Sequence, residues 1–274
     1  MPIALHPLRS PLSSACLGLV LALPAGPVQA AGSLLLLDAP PATATWSGGL
    51  SVRGWPRAPG SSRQRDGLLP AVDYENPNGI FAATDTGLGW NLAPALLNGD
   101  TAKGWQFGAR LWPQSGRPRR ESPPGVESLG TRVTAEAFAN VQALPVLLLQ
   151  SGLSWGSGRH HNGAQLELGA TSGIPIGQDL LAISLAATYA NAAHLRGSFG
   201  VRPAEAASSG LPEWQPGSGW QDWSVALSGE HKFSSDWSVS GQWLHARLVG
   251  QAARSPLTHD RNQPSFILSV WHRF

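Results

Sequence analysis

The final run of this chain, PSFILSVWHRF at residues 264–274, most constrains what it can fold into. Phe266, Leu268, Val270, His272 and Phe274 recur at every second position, with Ile267, Ser269, Trp271 and Arg273 between them. Side chains alternate across a strand, so this is a β-strand with one largely apolar face and one mixed face. A strand closing on a bare aromatic is the signal that bacterial outer-membrane barrels present to the barrel assembly machinery. Soluble sheets more often fray into polar residues. The row Phe266, Leu268, Val270, His272 and Phe274 is the expected assembly signal.

The opposite end points the same way. Arg9 supplies positive charge, Ala15 to Leu23 is a short apolar run, and Val28-Gln29-Ala30 precedes Ala31. This pattern predicts a secretory signal peptide over 1–30, cleaved after Ala30. The apolar run is about half of the roughly twenty residues that a spanning helix needs. Cys16, the only cysteine, lies inside it, which argues against a lipid anchor and leaves the mature chain without thiol chemistry.

Charged residues make up 13% of the chain, against 32 glycines, 23 prolines and 12 tryptophans. Few charges, many turn formers and many indoles suit a barrel whose outer wall meets outer-membrane lipid and whose tryptophans mark the interfaces. The net charge of +2 falls to +1 once Arg9 leaves with the signal, so nucleic acid is not an expected partner.

Residues 31–44 carry no sustained alternation and read as a periplasmic lead-in. Leu34 to Leu37 form an apolar patch there, which makes Leu35 and Leu37 candidate partner contacts. Period-two segments then follow from 45 to the final residue. Pro70, inside the second of them, predicts a bulge or a strand start. In the penultimate segment the alternation fails beyond Leu244, which predicts a bulge or an exit from the lipid. Strands joined by 76–78, 96–102, 142–143, 172–179 and 234–236 on one side have long connections at 56–66, 113–130, 156–162, 190–219 and 250–263 on the other. With both termini periplasmic the strand number is even, and twelve satisfies the count, with ten or fourteen as alternatives. That requires Leu195 to Val201 to belong to a long extracellular loop folded into the lumen, although it alternates. A sandwich would turn the same apolar faces inward, and alternation alone does not separate the two. The leader and the terminal phenylalanine decide for a transmembrane antiparallel β-barrel over 45–274.

Four blocks carry a family resemblance: LLPAVDYENPNGIFAATDTGLGWNL (68–92), FGARLWPQSGR (107–117), SFGVRPAEAASSGLPEWQPGSGWQD (198–222) and DWSVSGQWLHARLVGQAARSPLT (236–258), followed by the final WHRF. In this order they resemble the MipA/OmpV family of outer-membrane proteins, with His272 where the family usually has tyrosine. The resemblance implies an outer-membrane barrel. For one branch of the family it implies a scaffold joining a lytic transglycosylase to a murein synthase, and for others a porin or antigen. It carries no catalytic residues across, and a non-enzymatic protein without cofactor is expected.

Three motifs carry weaker chemistry. Gly152-Leu-Ser154-Trp-Gly156 matches the hydrolase G-x-S-x-G pattern, but that mechanism needs a strand-to-helix turn, and no helical period follows. His160 and His161 point apart on an extended chain and read as a solvated loop rather than a metal site. The inward polar set Arg110, Arg132, Glu136, Glu167, Asp222, Glu230 and Lys232 mixes signs. It would either line a narrow aqueous path or pair across the lumen and plug it.

Overall fold

The computed structural model describes residues 37, 40–97, 104–177 and 179–274. The predicted leader, Leu35 and most of the lead-in lie outside the described residues. The strands are β1 (Thr45–Pro56), β2 (Gln64–Glu75), β3 (Ile80–Ala83), β4 (Gly87–Asn91), β5 (Trp105–Gln114) and β6 (Arg132–Leu144). They continue with β7 (Leu147–Ser157), β8 (Gly163–Ile176), β9 (Asp179–Ala190), β10 (Gly219–Lys232), β11 (Trp237–Leu248) and β12 (Asn262–Arg273). Each pairs antiparallel with its sequence neighbour, and β1 pairs with β12 to close a twelve-stranded barrel.

The outer wall explains why this barrel sits in a membrane. Leu50, Val52, Leu68, Val133, Leu153, Leu185, Leu227, Leu268 and Val270 all stand exposed around it. An apolar surface of that extent is stable only against lipid. Aromatics mark both rims: Trp46 and Tyr74 at one, with ring centroids 4.4 Å apart, and Tyr189 and Trp220 at the other, 5.6 Å apart. Among the described residues no helix is long and apolar enough to cross a membrane. The strands do the crossing, and the short connections mark the periplasmic end.

Several local expectations are corrected. The strands flanking the predicted 142–143 turn run to Leu144 and start again at Leu147, because Pro145, which has no N–H to give a ladder, sits in the turn itself. Pro70 makes neither a bulge nor a strand start, since β1–β2 register is unbroken from Thr45–Glu75 to Pro56–Gln64. The proline is tolerated because β3 pairs only with Asp73–Glu75, leaving β2 at Pro70 with a free edge on its other side among the described residues. Nor does β11 bulge beyond Leu244. It stays in register with β10 and β12 to its end. Leu244, Ala246 and Leu248 continue the inward row, and the apparent phase failure reflects a change in what fills the barrel there, from polar to apolar.

The filling comes from the extracellular connections. The 191–218 segment forms α2 (Ala192–Phe199) and α3 (Pro203–Ser209), preceded in the chain by the short α1 (Ala93–Leu96) and followed by α4 (Gly250–Ala253). Asn191 caps α2 by accepting the His194 N–H at 2.8 Å. Leu195 and Phe199 then fall four apart on one face and bury themselves with Ala190, Leu248 and Ala252. Glycine permits the close approach: a Cβ at Gly197 would lie 2.3 Å from the backbone nitrogen of Arg159.

Candidate functional site: a lumen closed at one end and open at the other

The extracellular mouth is packed as a protein core. Beside the Leu195–Phe199 cluster, Val126, Val201 and Leu257 form a second buried group, flanked by Leu211 and Trp214. Ion pairs lace the loops above. Glu205 meets Arg159 at 3.2 Å and Arg202 at 3.3 Å, and accepts the backbone N–H groups of Glu127 and Arg202 at 2.9 Å each. Burial favours the neutral Glu205 carboxyl, but those N–H groups and guanidinium charges outweigh it and hold the group at about 2. Arg117 donates to the Ser198 carbonyl at 3.0 Å, and burial, helped by the charge of Arg159, pulls its guanidinium down to about 10.

Directly beneath α2 lies a cavity of about 70 Å³, walled by Arg110, Arg132, Glu136, Ser154, Glu167 and His194, among others. Arg110 and Glu136 face each other across the β5–β6 pair at 2.9 Å, both almost wholly buried. His194 joins the plug to the wall, its Nδ1 lying 2.7 Å from the buried Ser157 hydroxyl. Burial, with the nearby charge of Arg132, pushes its imidazole down to about 3, so it is neutral at physiological pH. Gly156, at φ 85°, makes the irregularity in β7 that turns Ser157 inward.

The same cavity is crossed by a chain of side chains. Thr134 donates to Gln114 at 3.3 Å, Gln114 to Gln165 at 3.4 Å, Gln165 to Gln221 at 3.3 Å, and Gln221 to Asp222 at 2.9 Å. Thr188 completes it by donating to Asp222 at 3.1 Å. A bulge in β10 between Trp220 and Asp222 lets two consecutive residues, Gln221 and Asp222, bury their side chains together. Strict alternation would send Gln221 into the lipid, so sequence reasoning missed it. Gln114, Gln165 and His194 were missed because their partners lie on strands or loops distant in sequence.

The periplasmic end differs. Near β3–β6, Leu37 packs against the buried Phe81 and Phe138, and its carbonyl accepts from Gln106 Nε2 at 2.7 Å. Near β10–β12 a basin of about 250 Å³ is lined by Asp73, Glu230, Lys232, Asp236, Trp271 and Arg273, with serines 47, 234, 235, 238 and 240. The predicted inward set is therefore divided between the two ends. Arg110, Arg132, Glu136 and Glu167 line the cavity beneath α2, Asp222 anchors the chain that crosses it, and Glu230 and Lys232 lie in the periplasmic basin.

The other candidates are placed as follows. Ser154 is buried within β7, which runs on to Ser157 and turns into β8, so no strand-to-helix elbow forms. His160 and His161 are exposed, and His161 Nδ1 lies 3.1 Å from the Gly156 carbonyl. The outward row of β12 meets the first strand: the Phe266 ring lies over Gly54, and the Phe274 ring over Gly48. His272 stands between Trp237 and Phe274, 4.7 Å from each ring.

No curated protein sequence matches the chain significantly. Solved structures similar to it include an outer membrane channel from Pseudomonas putida F1, at 11% identity and TM-score 0.44, covering 88% of this chain and 100% of that one. The NanC porin follows at 10% identity and TM-score 0.39, covering 84% and 99%. OccK8 (OprE) of Pseudomonas aeruginosa has 10% identity and TM-score 0.31, covering 84% and 98%. The family model described as MltA-interacting protein MipA matches residues 48–274, from within β1 to the final phenylalanine. A twelve-stranded outer-membrane barrel matched along nearly its whole wall in this way belongs to the MipA family.

Proposed function

We propose that the protein is a non-conducting, non-enzymatic outer-membrane barrel that acts on its periplasmic side as a scaffold for peptidoglycan-remodelling enzymes, a lytic transglycosylase and a murein synthase. The observation that carries this reading is the asymmetry of the lumen. The extracellular mouth is packed with Leu195, Phe199 and Leu248, and the open, polar basin faces the periplasm. The family description, MltA-interacting protein, supports a partner of this kind. The contact surface is the lead-in around Leu35 and Leu37 together with the basin rim, an area near the low end of specific interfaces, about 1,200 Å². Leu37 already rests on Phe81 and Phe138. Leu35→Ser is therefore the change that weakens co-purification alone, whereas Leu37→Ser also frees the lead-in from the barrel. The row Phe266 to Phe274 serves the barrel assembly machinery in this reading.

A small porin is the second reading, favoured by the polar side chains throughout the lower lumen and the 250 Å³ basin. One pair of measurements separates the two. The scaffold predicts a silent planar bilayer with refolded protein and co-purification of a murein hydrolase or synthase from envelope extracts. Steady conductance with neither enzyme co-purifying would replace it with the porin.

A further inference from the structure

The wall of the barrel is interrupted on its extracellular side. β3 and β4 are only four and five residues long, so among the described residues β2 from Gln64 to Ala71 is paired with β1 alone. The 3₁₀ turn Arg119–Glu121, from the β5–β6 loop, stands at the top of this free edge and is tied to the β1–β2 hairpin there. Glu121 binds Arg57 at 3.2 Å and Arg63 at 2.9 Å. Arg65 lies over the Trp55 ring at 5.4 Å and feels the repulsion of both Arg57 and Arg120. The guanidinium groups of Arg57, Arg63, Arg65 and Arg120 thus gather at Glu121, with Arg119 in the same turn. Asp66 lies beside them on the outer wall of β2. Like charges held together cost free energy unless an anion meets them. The Glu121 carboxylate is almost fully buried beneath its two partners, whereas Arg63, Arg119 and Arg120 are exposed.

Height in the membrane identifies the anion. Gly54 is paired with Asp66 on one side and with the lipid-facing Phe266 on the other. Arg65 is one residue past that aromatic level and Arg63 three past it, so at about 3.3 Å per residue along strands tilted by about 40° the cluster sits roughly 2–8 Å beyond it. This is the headgroup layer, which adds about 5–8 Å to each side of the hydrocarbon core. Guanidinium forks match phosphate oxygens in pairs, and an arginine cluster is their usual receptor. We propose that this rim is a binding site for the phosphate groups of an outer-leaflet glycolipid, seated where the barrel wall is incomplete.

The test uses the full-length mature barrel in phosphatidylcholine nanodiscs, with co-retained glycolipid measured by native mass spectrometry. The probes are bisphosphorylated lipid A, the same lipid with its phosphates removed, and inorganic phosphate as competitor. The proposal expects Arg63→Gln/Arg119→Gln/Arg120→Gln to lower retention of the phosphorylated lipid at least about tenfold. Arg254→Gln/Arg261→Gln, on another extracellular loop, should leave it unchanged, and the dephosphorylated lipid should bind the wild type as weakly as the phosphorylated lipid binds the triple variant. Equal retention of both lipids by wild type overturns the proposal, and so does equal retention by wild type and triple variant. Full displacement by equimolar inorganic phosphate would also overturn it, because the site would then take free phosphate rather than lipid. Heat-modifiable electrophoretic mobility establishes that the triple variant is folded. If it is not, Arg119→Gln/Arg120→Gln and the two lipids on wild type decide the question.

Discussion

The two mouths of this barrel share one wall and are finished in opposite ways. At the extracellular mouth, Leu195, Phe199, Leu248 and Ala252 are buried together as in a soluble core, with Glu205 and its arginines above them. At the periplasmic mouth the inward rows of β10–β12 end in serines, acids and cations around open space. The same strands build both, so the difference lies in what the connections contribute. A 28-residue connection between β9 and β10 can fold back as two helices, whereas the four residues between β10 and β11 cannot. Loop length, more than strand chemistry, decides which end of the lumen is sealed.

That contrast can be broken most decisively by removing the seal. Deleting residues 192–216 and joining Asn191 to Gly217 should convert a silent bilayer trace into steady conductance, while leaving periplasmic co-purification intact. A deletion barrel that stays silent would place the seal lower, in the chain from Thr134 to Asp222. The next effect is on stability. Arg110→Ala leaves Glu136 buried without its partner and should cost about 3–5 kcal/mol in denaturant unfolding followed by tryptophan fluorescence. Lys232→Ala, in the open basin, should stay within about 0.5 kcal/mol. Equal costs would mean that the two ends are energetically alike.

A reversible effect, smaller for each unit of change, comes from pH. The folded imidazole of His194 lies at about 3, below its ordinary 6.5, so the unfolded plug takes up the extra proton. Its contribution is fully present above about 6.5 and is lost as pH falls from there towards 3. Hydrogen-exchange protection of residues 192–199 should drop about tenfold per unit across that window. His194→Asn should flatten the profile, and the periplasmic turns should not respond. Smallest is Asn191→Ala, which removes the α2 cap and the bond to the Ala164 N–H, and should cost the plug about 1 kcal/mol. No change in exchange across α2 would show that tertiary packing alone holds the helix.

The wall was legible in the sequence because lipid and lumen impose opposite chemistry on alternate residues. Val133 against Arg132 and Thr134, or Leu268 against Ser269, states the fold directly. Residues 195–201 lie in a loop folded into the lumen, as expected, but the helix within it was not legible, because Leu195, Phe199 and Val201 also satisfy a strand's alternation. Gly197 and Gly200 weakened the helical signal further. The capping Asn191 was the available clue. Ser157 and His194 meet across 37 positions, and Gln221 turns inward only because β10 bulges, so neither could be found from local pattern. At Pro70 the strand was read but not its neighbour. The residue looks misplaced until β3 is seen to stop at Ala83.

The seam between β1 and β12 has a kinetic consequence. Ser51 and Ser269, whose hydroxyls meet at 2.7 Å inside it, are 218 positions apart, whereas every other ladder joins neighbours in the chain. No short turn prepares that pairing, and it closes only when the two distant ends of the sheet meet. Until then the growing sheet carries two bare edges, Thr45–Pro56 and Asn262–Arg273, each a template for the wrong partner. A topology with one such distant pairing folds slowly and is exposed to aggregation while it waits. Phe266 over Gly54 and Phe274 over Gly48 are the aromatic contacts that this last pairing brings together, one towards each end of the seam.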